Sequence, residues 1–151
     1  MNQEKLSLLA KDLTQEFPRS PREMLGGYVI AARSVDKCRA ALLDINGEYN
    51  YQPCSLTAQL FEFTGITPEA FEEFVATGAT DDEIAEWLKS NSDIQDKRAI
   101  TRWNYQLRDM RITEMSGEAQ EYLEAYIEEY VPKHRPVYVW FDVYDLEEQR
   151  L

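Results

Sequence analysis

The residues best suited to chemistry in this chain are Arg33, Asp36, Lys37 and Arg39, gathered in one short stretch. At helical spacing Arg33, Asp36 and Lys37 share one broad face, and Arg39 turns well away from it. A lysine beside other cations has its ammonium form disfavoured, which is how lysines become general bases or Schiff-base formers. Arginine offers a planar fork that grips carboxylate or phosphate through two parallel N–H groups. Arg19 and Arg102 would add charge to the same small anionic ligand, and Tyr49 and Tyr51, in a turn nearby in sequence, would line its site. The competing reading is structural: Asp36 screens Arg33 and Arg39 in an ion-pair network, and the tyrosines are core edges with wet hydroxyls. The structural reading is the default for such clusters, and spacing leaves both open.

Other chemistry finds less support. The one imidazole, His134, has no second histidine or paired cysteine at ligand spacing, so no metal is expected. Cys38 and Cys54 match neither a zinc knuckle nor a redox pair. Their default role is that of small buried apolar residues in a reducing compartment. Cys54 with the distant His134 lacks a third orienting group, and the turn residues around Cys54 suggest accidental oxidation before catalysis. With no phosphate loop either, no cofactor is expected, and the reading leans away from an enzyme.

The formal net charge of −12 repels nucleic-acid backbones and anionic membrane surfaces. That charge is uneven: residues 18–39 and 97–111 are net basic islands, while 40–96 and 112–151 are strongly acidic. The islands either neutralise acidic helices inside the fold or converge on one concave site. No apolar run approaches the ~18 residues of a membrane span. The opening residues have no basic flank before an apolar stretch, so the expectation is a cytoplasmic chain.

These side chains must be positioned by helices. Apolar periodicity and caps predict a mainly α, compact bundle of about six to eight helices in a single globular domain over 1–151. Leu6, Leu9 and Leu13 mark a first helix, closed by Phe17-Pro18. Ser20-Pro21-Arg22-Glu23 reads as a capping box opening a helix to about Leu43, with Gly26-Gly27 a local conflict that close approach of another backbone would explain. A short extended segment is placed near 48–51. Ser55, Thr67, Thr80 and Ser116 cap further helices, and Gly65 and Gly78 stop two of them. Ile100, Trp103, Leu107 and Met110 form the stripe of a helix over 93–111. Tyr122, Leu123, Tyr126, Ile127 and Tyr130 would face inward on the next helix. Segment 137–145 fits helix and strand alike, with a lean to helix because a lone strand has no partner.

Several motifs also carry a resemblance: Pro18-Arg19-Ser20-Pro21, Leu25-Gly26-Gly27-Tyr28, Arg33, Asp36-Lys37, Arg39-Ala40, Gly47-Glu48-Tyr49, Phe63-Thr64-Gly65-Ile66, Trp103-Asn104 and Trp140-Phe141-Asp142. In this order they resemble a family of small bacterial proteins known as the domain of unknown function numbered five thousand and sixty-nine. The likeness covers most of the chain from residue 12 onward. It implies a bacterial, cytoplasmic protein and brings no activity or substrate. After Tyr51 the family reads Cys-Pro-Leu-Asp and this chain reads Pro53-Cys54-Ser55-Leu56, so no role tied to that cysteine or aspartate transfers.

Two functions are therefore weighed. The leading one is a non-catalytic protein-interaction or self-associating module presenting an acidic helical surface to a second copy or to another protein. The alternative is a small anionic-ligand binder or enzyme using the cluster of the 20–43 helix.

Overall fold

The computed structural model describes residues 1–151. Eight α-helices follow one another with no β-strand, as the periodicity predicts: α1 (Gln3–Leu9), α2 (Ala31–Leu42), α3 (Ser55–Thr64), α4 (Pro68–Ala76), α5 (Asp81–Asn91), α6 (Lys97–Asp109), α7 (Gly117–Tyr130) and α8 (Trp140–Glu147). None is long and apolar enough to cross a membrane. The chain divides into two compact units, Met1–Ile100 and Thr101–Leu151.

In the first unit α2 packs against α3 and α4 and is buried at every position from Ala31 to Ala40. A helix enclosed on all sides is normally apolar all round. This one carries Arg33, Asp36, Lys37 and Arg39, each no more than 5% exposed. The apolar core of this unit includes Leu6, Leu56, Leu60, Phe71, Ile84 and Leu88. Thr67 accepts from the Ala70 N–H at the start of α4, and Thr80 and Glu83 form a reciprocal capping box on α5. Gly65, left-handed at φ 75°, ends α3 with its N–H bonded to the Phe61 carbonyl.

The helix expected over 20–43 begins only at Ala31. Ser20 does not cap it; its hydroxyl accepts from the Arg22 N–H at 3.0 Å in a local turn. Gly26 and Gly27 have φ of 62° and 89°, a backbone no right-handed helix contains. Leu25 and Tyr28 exchange both backbone hydrogen bonds across these two glycines, a tight reversal. Ile30 then precedes α2 at φ 73°, a conformation disfavoured for a β-branched residue. Complete burial of its side chain offsets that strain. Other boundaries also moved. Leu13 lies beyond α1, bonded through its N–H to the Ile45 carbonyl and buried there. Residues 48–51 turn and form no strand, with the Tyr49 N–H reaching the Asn46 carbonyl. The N-cap of α3 is Cys54, not Ser55.

In the second unit Val131, Val143 and Leu146 form a small core with Ile112, Tyr126, Ile127, Val137 and Tyr144 against it. Segment 137–145 is helical from Trp140, and Asp142 accepts from the Tyr138 and Val139 N–H groups at the helix start. Of the inward stripe expected on α7, Leu123 is buried, Tyr126 and Ile127 are half-buried, and Tyr122 and Tyr130 face solvent. A unit this small has too little core to cover a wider stripe.

Gly26 sits where α5 passes closest: a Cβ there would lie 3.1 Å from the Ala85 carbonyl oxygen, whereas one at Gly27 would meet nothing. Alanine at either position is forced into the left-handed region, costing about 1 kcal/mol or more. Only Gly26→Ala also presses on the α5 backbone. Urea unfolding should therefore place Gly26→Ala clearly below Gly27→Ala in stability, and equal losses would reject the close approach.

Candidate functional site

Four charged groups on a buried helix each need compensation, because an unpaired charge removed from water is strongly unfavourable. Asp36 finds it in Arg19: its carboxylate accepts from the Arg19 backbone N–H at 2.8 Å and from Nε and Nη2 at 3.0 Å each. Arg39 donates to the Ala79 carbonyl at 2.9 Å and pairs with Asp81 at 2.9 Å. Asp81 also receives Arg19 Nη1 at 2.8 Å, so two arginines converge on one carboxylate at the first position of α5. Arg19, Asp36, Arg39 and Asp81 thus form one chain of ion pairs. Asp36 screens Arg19, not Arg33.

Arg33 and Lys37, one helical turn apart, face elsewhere. Arg33 donates to the Arg19 carbonyl at 3.2 Å and lies over the Tyr49 ring, 5.6 Å from its centroid. Lys37 points its Nζ at the Cys54 sulfur, 3.0 Å away. A neutral thiol is a poor acceptor for a buried ammonium, and a thiolate is a good one. Burial raises the Cys54 pKa, but the Lys37 charge and hydrogen bond, with the Thr57 backbone and hydroxyl, outweigh it and hold the thiol below its ordinary value. Cys54 caps α3, where the helix dipole adds in the same direction. The Thr57 hydroxyl is anchored in turn to Ser34, 3.2 Å away. Cys54 itself is only half-buried. Cys38 contrasts: it is enclosed, and burial drives its pKa far up.

The candidates named from spacing are therefore sorted. Lys37 meets the start of α3, Arg33 and Tyr49 pack on each other, and Arg19, Asp36 and Arg39 are held in the ion-pair chain. Tyr51 belongs to the core, its ring stacked on Phe71 and its hydroxyl donating to the Pro68 carbonyl at 2.7 Å. Arg102 is exposed on α6 and belongs to the second unit. A cleft beside Tyr51 is lined by Asn46, Asn50, Gln52, Glu69 and Glu72, a set with no cation to offer an anion. Sequence reasoning discounted Cys54 and passed over Thr57, Ser34 and the bridging role of Asp81. No spacing rule pairs residues 37 and 54, and the one available signal was the helix start immediately after the cysteine. No group of three or more metal-ligating side chains is placed to hold an ion.

The fold and site define an all-α protein whose buried, charge-bearing helix presents a lysine to a cysteine at the start of the next helix. It belongs to the family described as Domain of unknown function (DUF5069), whose model matches residues 15–150. No curated protein matches the chain.

Burial pushes the Asp81 pKa up, but hydrogen bonds and charge from Arg19 and Arg39 win and hold it below its usual value. A carboxylate so depressed adds stability above its unfolded pKa, and that stability is lost as pH falls through the folded one. The protein should weaken on acidification below about pH 4. Asp81→Asn should flatten part of that decline in urea midpoints, and an unchanged acid slope would remove Asp81 from the network.

Proposed function

We propose that this protein works through Cys54 as a thiolate nucleophile in thiol–disulfide exchange with a small, negatively charged disulfide. The observation that carries the reading is the 3.0 Å contact from Lys37 Nζ to Cys54 Sγ. The thiolate is the reactive form of cysteine, and one stabilised before substrate arrives needs no general base. Disulfides suit such a site because the leaving group is itself a thiolate and needs no proton. In the step, Sγ attacks one sulfur of the substrate, a new S–S bond forms, the old one breaks, and the second substrate sulfur departs with the electron pair. The Lys37 ammonium beside the sulfur favours a substrate carrying carboxylates. The enclosed Cys38 takes no part, so the mixed disulfide at Cys54 lasts until an outside thiol attacks it. A reducing compartment, the cytoplasm of a bacterium, keeps both thiols free and supplies that outside thiol.

Alkylation by iodoacetamide across a pH series tests this directly. Cys54 should react with a midpoint below the ~8.5 of an unperturbed cysteine. Lys37→Met should raise the midpoint and slow alkylation at neutral pH by about tenfold or more. A wild-type midpoint at or above the unperturbed value would overturn the proposal.

A second reading, binding of a basic protein segment, is favoured by one surface. Phe74 and Trp87 stack with centroids 5.2 Å apart and planes 11° from parallel. Together with Asp82, Glu83 and Glu86 they line a shallow groove. An aromatic shelf edged by carboxylates suits arginine or lysine side chains. A second copy, carrying the same net charge of −12, suits it less. An arginine-rich peptide should quench tryptophan fluorescence in the wild type but not in Trp87→Leu, and added salt should weaken the effect. No quenching, or equal quenching in both proteins, rejects this surface.

A further inference from the structure

We propose that Lys37 and Cys54 form a reversible covalent cross-link under oxidation, a sulfenamide joining Nζ to Sγ, which switches the thiol off. The inference rests on Cys54 being the reactive thiolate described above. Its ground is geometric: Nζ and Sγ are already in contact at 3.0 Å, Cys54 is half-buried, and Lys37 is buried. An oxidised sulfur formed there meets an amine before it meets another thiol.

The co-reactant is a hydroperoxide. The Cys54 thiolate attacks the outer peroxide oxygen, the O–O bond breaks, and the departing alkoxide takes a proton from the Lys37 ammonium. This leaves a sulfenic acid beside a neutral amine. The nitrogen lone pair then attacks sulfur, the N–S bond forms, and the S–O bond breaks. The departing hydroxide takes a proton from nitrogen and leaves as water. One ammonium, one thiolate and one hydroperoxide become one sulfenamide, one alcohol and one water. Sulfur is oxidised by two electrons and the peroxide is reduced by the same two. Reversal needs an external thiol: it attacks sulfur and expels the lysine amine, and a second thiol clears the mixed disulfide.

The cross-link has a protective consequence. A thiolate exposed to peroxide otherwise climbs to sulfinic and sulfonic acids, which are not recovered by thiols. Capture by Lys37 stops that climb at a recoverable stage. It also removes both charges from the start of α3.

Intact and peptide mass spectrometry of the full chain after brief treatment with tert-butyl hydroperoxide tests this. The wild-type protein should lose two hydrogen atoms, and Cys54 should resist alkylation until dithiothreitol restores it. Trypsin should fail to cut after Lys37, with the segment ending at Arg39 attached to the peptide holding Cys54. A Cys38–Cys54 disulfide has the same mass but leaves the Lys37 cleavage intact, so its appearance overturns the proposal. Persistence of the linkage in Cys38→Ala supports it. Lys37→Arg should instead give a sulfenic acid trapped by dimedone, or higher oxides. Dimedone labelling of wild-type Cys54 with normal cleavage after Lys37 also overturns it. Fast neutral-pH alkylation without the cross-link would defeat this inference alone, whereas slow alkylation would defeat the thiolate reading beneath it.

Discussion

The first unit depends on a helix that is enclosed on every side and yet carries four charged side chains. Apolar burial draws α2 into the centre, and desolvation then demands a partner for each of Arg33, Asp36, Lys37 and Arg39. The neighbouring segments are arranged to meet that demand. The loop before α2 delivers Arg19 and its carbonyl, the start of α5 delivers Asp81, and the start of α3 delivers Cys54. Each of these is the terminus of an element or a loop, because only there does polar backbone reach the core without breaking a helix.

The partners differ in kind, and the difference separates structure from chemistry. Carboxylate against guanidinium is self-satisfying: both are charged at neutral pH and planar, and their forks match. Ammonium against sulfur differs, since the strength of that contact depends on whether a proton leaves the thiol. Burial opposes that departure, while the lysine charge and Thr57 favour it, and the favourable side prevails. One helix therefore supports a closed ion-pair chain toward α5 and a thiol of lowered pKa toward α3.

Much of the architecture was legible because caps act locally. Thr67 with Pro68, Thr80 with Glu83, and Ser116 each bond within one turn, so the sequence order carries the geometry. The segment before α2 was misread because Ser20-Pro21-Arg22-Glu23 has the composition of a helix start and the Leu25-to-Val35 periodicity continues through it. Gly26 and Gly27 carried the contrary signal, and their left-handed backbone prevailed over the pattern. The site was only half legible for a different reason. Arg33 and Lys37 lie on one helix, where spacing implies proximity. The bonds to Cys54 and Asp81 join residues 17 and 42 positions apart in the chain, which no periodicity encodes. Spacing sets Arg39 apart from Asp36, yet Arg19 and Asp81 link the two in one chain of ion pairs, a link that α5 closes.

The bridging of two arginines by Asp81 has a consequence for how this family can vary. Losing that carboxylate strands Arg39 in the core, and losing Arg39 leaves Arg19 with an excess of acids, so single changes along the chain of pairs are poorly tolerated. Positions 19, 36, 39 and 81 should drift jointly through evolution, as a block of charges or as a block of apolar replacements, and seldom one at a time.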